Sequence, residues 1–289
     1  MIGRQDGIVM VAVLWVCALI IWLALQISAD TRLQAEERVH LLRQSQALYL
    51  AIGGAYEALA RMGQAITIEI DEKDGRSWQP DGKLREVRYE TGRALVVVQK
   101  ETDKVNVNKA SQPELKAVLE TIGLQEGPAD ALADLIADFI DADESPRLHG
   151  GEIDYYKKLR LQHGPFDNVL TSLDQLLLVP GITQKLFYGF DLDNSKEETE
   201  GSIPQIPILA NEYSLFQMLT VYGSNVSLEQ KEVLEDVHSE FVPWESGGIY
   251  RIISHGVLAS GAPAVTLMMI VKYAPESEQG YQVLFRKII

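Results

Sequence analysis

The sequence predicts an α+β fold: one long N-terminal helix packed on an antiparallel sheet, with an all-α domain inserted in the β region. Three observations lead there. No proline occurs before Pro80, and apolar residues keep helical spacing as far as Met62. Period-two runs follow at residues 65–101 and again near the C-terminus. Between them, from Val105 to about residue 193, the spacing is helical.

The chain has 289 residues, of which 46% are hydrophobic and 23% charged, enough to bury a core. Lys plus Arg is 26 and Asp plus Glu is 41, a net charge of −15. Phosphate neutralisation needs a basic surface, so no nucleic-acid partner is expected. A single cysteine, Cys17, excludes an intramolecular disulfide and a cysteine zinc cluster. There is no GxxxxGK[ST], GxSxG, GxGxxG or HExxH, so the common nucleotide, hydrolase and metalloprotease signals are missing.

From Gly7 to Ala29 the chain carries no charge. That length suits a membrane span, which needs about 20 apolar residues. It is too long for the apolar core of a signal peptide, and Ala24 and Ala29 make a poor cleavage site. A retained single-pass transmembrane helix over 8–29 is therefore expected. Arg4 before the span favours a cytoplasmic N-terminus, with the acidic remainder on the far side. Cys17 within the span is consistent with an oxidising compartment for that remainder. Leu41, Leu48, Ile52, Ala55, Leu59 and Met62 then continue one stripe. The simplest reading is one helix from about Ile8 to Met62, on the order of 80 Å long. Gly53 and Gly54 would weaken it by roughly 1 kcal/mol each, or else admit the close approach of a sheet.

Residues 65–71, 84–90 and 92–101 read as strands. Ser111 with Glu114 forms a capping box that opens a helix, and Pro113 is tolerated in its first turn. Further helices are expected from Pro128, around Gly151–Leu161 and over Ser172–Leu178. Residues 194–209 are polar, acidic and proline-bearing, an exposed connector, and a short helix is expected at Ser227–Glu240. Residues 247–259, 264–274 and 280–289 close the chain as three strands.

The densest chemical constellation is DFIDADESPRLHGGEIDYY at 138–156, with six carboxylates: Asp138, Asp141, Asp143, Glu144, Glu152 and Asp154. Hard oxygen donors suit Ca²⁺, and Gly150-Gly151 would fold the two acidic halves onto one ion. The spacing is not that of an EF-hand, and a solvated acidic loop is the alternative. His149, His163 and His238 have no partner at ligand spacing. The segment SLDQLLLVPGI has the form of a helix-hairpin-helix turn. Only Lys185 lies near it, with Asp174, so a tight turn between packed helices is the better reading.

Together these residues resemble the minor pseudopilin K family of the bacterial type II secretion system. The matching pieces are DGIVMVAVLW at the start, KVNVNKAS at 104–111, the acidic loop with its Tyr-Tyr pair, and GPFDNVLTSLDQLLLVPGI at 164–182. They cover about residues 7–190. The last third is matched by its order: connector, helix, three strands.

The resemblance implies a pilin-like fold and a leader, residues 1–7, cut between Gly7 and Ile8; Gly3 is the other candidate. It implies a transmembrane helix at 8–29 in the inner-membrane lipid, with the large C-terminal part in the periplasm. Residues 30–103 would be the pilin-like helix and first strands, 104–193 the inserted helical domain, and 194–289 the connector, short helix and closing strands. The pilin position-five Glu is here Ala12, as in K subunits. A buried unpaired carboxylate in lipid is costly, and a subunit at the filament tip has none above it to pair with.

The function implied is that of a non-catalytic tip subunit that helps start pseudopilus assembly, with the I, J and H minor pseudopilins as partners. Leu41, Leu48, Ala55 and Met62 are the expected partner-binding stripe, which would contact partner pseudopilins as well as the protein's own sheet. Calcium is the expected ion, with Asp141, Asp143, Glu152 and Asp154 as ligands. Here Gly151-Glu152-Ile153-Asp154 departs from the family's Gly-Ala-Glu-Asp, and Asp154 stands in for the displaced carboxylate. Competing readings are a minor pilin of a type IV pilus, a membrane-anchored helix-hairpin-helix DNA-binding protein, and an anchored hydrolase using the carboxylates.

Overall fold

The computed structural model describes residues 6–64, 78–189, 213–223 and 244–289. Helix α1 (Asp6–Gln64) is a single helix of 59 residues, close to the expected bounds at both ends. Its C-terminal half lies on the sheet through small side chains: Ala47, Ala51, Ala55 and Ala58 are wholly buried, flanked by Leu50, Leu59 and Met62. These residues let the two backbones come close. A Cβ on Gly54 would stand 2.5 Å from the Ala94 Cβ, and one on Gly256 would stand 2.1 Å from the Ala47 carbonyl oxygen. Gly54 therefore serves packing, which offsets its cost inside a helix.

Strands β1 (Arg85–Tyr89) and β2 (Gly92–Lys100) form an antiparallel hairpin. The chain then leaves the sheet through β3 (Val105–Asn106), α2 (Gln112–Thr121), α3 (Glu126–Ile140) and α4 (Ile153–Lys158). A 3₁₀ helix (Leu173–Leu178) and α5 (Gln184–Tyr188) follow. It comes back by α6 (Leu215–Met218) and β4 (Leu219–Thr220), the latter parallel to β3. Strands β5 (Ile249–Leu258), β6 (Ala264–Tyr273) and β7 (Tyr281–Ile288) complete a five-stranded sheet of order β1-β2-β5-β6-β7. β2 and β5 are neighbours in the sheet although the helices separate them in sequence.

Both faces of the sheet are covered. Val96, Val98, Ile252 and Met269 pack under α1, while Leu95, Val97, Ile253 and Met268 pack against the helices. Two-sided burial explains why the middle of β2, residues 94–98, is an unbroken apolar run rather than an alternating one.

Several expectations are refined. Ser111 and Glu114 form the anticipated capping box. The expected fourth helix is a short 3₁₀ segment, ended by the extended Val179 that Pro180 imposes. The expected strand at 65–71, connector at 194–209 and helix at 227–240 lie outside the described residues. The stripe expected to meet both partners and sheet divides between the two. Ala55 and Met62 are buried on the protein's own sheet, so they present nothing to a partner. Leu41 is exposed and Leu48 half-buried. The cause is the approach of the sheet, which meets α1 only from Ala47 onward and takes that face for itself.

Among the described residues no helix is long and apolar enough to cross a membrane. Residues 10–26 and Ser28, the part of the uncharged stretch whose side chains are described, are exposed throughout.

Candidate metal centre

The last turn of α3 carries Asp138, and Asp141 follows as the helix C-cap, three residues on and on the same side. The chain loops through residues 142–151, and Glu152, the N-cap of α4, brings a third carboxylate back. One oxygen from each of Asp138, Asp141 and Glu152 lies within 4.8 Å of the others. Gly150 makes this possible: a Cβ there would stand 1.9 Å from Asp138 Oδ2.

Asp138 is wholly buried. The Arg147 backbone N–H donates to its Oδ2 at 3.0 Å. The Arg147 guanidinium bridges Asp138 and Asp141, reaching Asp141 Oδ2 at 2.5 Å. One guanidinium does not balance three carboxylates. Asp141 Oδ1 and Glu152 Oε1 are buried without a hydrogen-bond partner among the described residues. Burial first, then the charges of Asp138 and Asp141, push the Glu152 carboxyl up to about 7. A centre of this kind takes up a proton or a cation near neutrality. Its donors are all hard oxygens, which fit Ca²⁺, and its two unpartnered oxygens are acceptors that a cation would satisfy.

Of the four expected ligands, the structure brings Asp141 and Glu152 together and leaves Asp143 and Asp154 out. Asp143 Oδ1 accepts from the Ser145 N–H at 2.8 Å, and Asp154 is exposed and pairs with Lys157 at 3.2 Å. Asp138 is the carboxylate that lies with the other two. The signal for it was its spacing of three from Asp141 at the end of a helix.

A second group also escaped the sequence reading. His149 Nδ1 lies 3.5 Å from Asp134 Oδ2 and 3.7 Å from Asp130 Oδ2. The His149 backbone N–H donates to Asp134 Oδ2, and Gln112 Nε2 donates to Asp130 Oδ1. This group is thus internally satisfied, unlike the Glu152 centre.

Around the Pro180-Gly181 turn, Val179 and Ile182 are buried and Gly181 has a φ of +97°, the packed turn anticipated. Gly7 and Ile8 lie in the helical backbone of α1, and Ala12 is exposed on it.

The architecture is thus a long helix laid on an antiparallel sheet, with helices spliced between adjacent strands and an acidic centre among them. Residues 93–189, from β2 to just past the end of α5, match the family model of type II secretion system (T2SS) protein K. A protein of Escherichia coli (strain K12), provisionally named type II secretion system protein K, is 24% identical over 202 residues. The match covers 64% of this chain and 60% of that protein, less than two thirds of its length. A chain in the crystal structure of the GspK-GspI-GspJ complex from the enterotoxigenic Escherichia coli type 2 secretion system is 16% identical. That match covers 90% of this chain and 99% of the other, with a TM-score of 0.47.

Proposed function

We propose that this protein is a minor pseudopilin of the K type, a structural, non-catalytic subunit at the pseudopilus tip that helps initiate assembly for protein export. The observation that carries the reading is the protein K match, which falls on β2 and the helices that leave it, while α1 lies on the other face of the same sheet. The partners proposed are the I, J and H minor pseudopilins of the same system. Two of them share their letters with GspI and GspJ, which assemble with GspK in the complex named above.

The N-terminal part of α1 is proposed as the inner-membrane anchor, with the sheet and helices in the periplasm. Met10, Leu14, Trp15, Leu19, Trp22 and Leu25 are each at least half exposed, and no part of the described chain covers them. Gly7 to Ala29 as a helix would be about 34 Å long, against a hydrocarbon core of about 30 Å. The proposed leader is cut between Gly7 and Ile8, which puts Ala12 at the fifth position. The proposed ion is Ca²⁺, held by Asp138, Asp141 and Glu152 with backbone oxygens or water. Tying α3 to α4 there would fix the loop without any chemical step.

Two measurements test this in the organism that makes the protein. N-terminal sequencing of the membrane form should begin at Ile8. Removing residues 30–289 should leave few and short pseudopili; normal numbers would contradict an initiating role.

A further inference from the structure

The chain is strongly acidic, yet the twelve residues Tyr155–Phe166 contain no carboxylate and three cations: Lys157, Lys158 and Arg160. All three are exposed, and Leu159 and Leu161 between them are 48% and 38% exposed. Lys157 pairs with exposed Asp154, while Lys158 and Arg160 form no ion pair among the described residues.

The backbone adds an independent observation. α4 ends in a Schellman motif: the Leu161 N–H donates to the Tyr156 carbonyl at 3.1 Å, and the Arg160 N–H to the Lys157 carbonyl at 3.0 Å. The residue after the C-cap in this motif is usually glycine, because its φ is positive. Here it is Arg160, at φ +58°. An exposed arginine in the left-handed region is disfavoured, and no ion pair with the described residues repays it. Such a local conflict points to a use outside the folded chain.

We propose that Lys157, Lys158, Leu159, Arg160 and Leu161 form a docking surface for an acidic, partly apolar segment of a partner protein. Complementary charge chooses the occupant: three cations around two leucines match carboxylates around apolar side chains. A lipid surface fits less well. Membrane-binding basic clusters use about four to eight cations, and these leucines are only half free to insert. The inference does not depend on the assembly role proposed above.

The test uses the full chain in detergent micelles. The probe is a fluorescein-labelled synthetic peptide with Glu and Leu at helical spacing, and its control has Gln for every Glu. Saturable binding of the Glu peptide, weakened by salt, is expected. Lys158→Glu with Arg160→Glu should weaken it roughly tenfold. Arg160→Gly separates function from folding: it should raise the melting temperature while weakening the peptide.

The proposal is overturned by three kinds of result. The first is no saturable binding of the Glu peptide, or equal binding of the Gln control. The second is a charge-reversed chain that binds as well as the parent, or an Arg160→Gly chain that melts no higher. The third is an Arg160-dependent affinity for phosphatidylglycerol vesicles or for a second copy of the chain, with none for the peptide.

Discussion

Arg251 Nη2 donates to Glu101 Oε1 at 2.6 Å, and both side chains are 1% exposed. Glu101 follows β2, where the chain leaves the sheet, and Arg251 lies near the start of β5. The same guanidinium reaches the Phe216 carbonyl oxygen at 2.5 Å and lies over the Phe216 ring at 4.3 Å, while Lys104 Nζ stands 3.2 Å from Glu101 Oε2. One buried pair thus ties the root of the helical part to the sheet. Burial alone would raise the Glu101 carboxyl, but the charges of Arg251 and Lys104 outweigh it and hold it below the ordinary carboxylate range.

Removing one partner leaves buried charge without its counter-charge. Glu101→Ala should destabilise the protein by about 3–5 kcal/mol, whereas Glu101→Leu combined with Lys104→Met and Arg251→Met, which removes all three buried charges, should cost far less. Denaturant melts of the three chains check this, and equal losses would mean that the pair is not the tie.

His255 gives a pH dependence. It is buried, bonded to Thr266 Oγ1 at 2.8 Å, and burial pushes its pKa down to about 4. Unfolded histidine protonates near 6.5, so the unfolded chain binds the extra proton between about pH 6.5 and 4. Stability is therefore full above that window and is lost as pH falls through it, by up to about 3 kcal/mol. Melting temperatures at stepped pH should show the slope, and His255→Gln should flatten it.

Gly256 tests the close packing of α1. A Cβ there would meet the Ala47 carbonyl oxygen and the Ala51 nitrogen, backbone atoms that cannot turn aside. Gly256→Ala should cost at least about 1–3 kcal/mol. The check is loss of melting temperature, accompanied by increased amide exchange over residues 47–58.

Calcium is expected to act through the carboxylates the fold brings together. Ca²⁺ at about 100 times its Kd would stabilise the protein by about 2.7 kcal/mol, reversed by a chelator. Asp141→Ala with Glu152→Ala should abolish the shift, and Asp143→Ala with Asp154→Ala should keep it. Calorimetry of chelated protein reads the binding directly.

The sequence made the long elements legible because their periodicity is long. α1, β2 and the three closing strands each repeat their pattern over eight or more residues. β3, β4 and α6 span two to four residues, too few to show a period, and β3 meets β4 only in the fold. Which members of the α1 stripe meet the sheet, Ala55 and Met62 among them, was not legible because helical spacing marks a face without telling what covers it. The acidic centre was half legible. Composition located the loop, but choosing among its carboxylates needed the return of Glu152 and the burial of Asp138.

The most direct test is assembly. The full chain, purified in detergent, would be mixed with the I- and J-type minor pseudopilins of its own organism and passed over a sizing column with light scattering. The account predicts one species that contains all three proteins and forms only when this chain is present. Three separate peaks at micromolar concentration, with each protein shown to be folded, would contradict it.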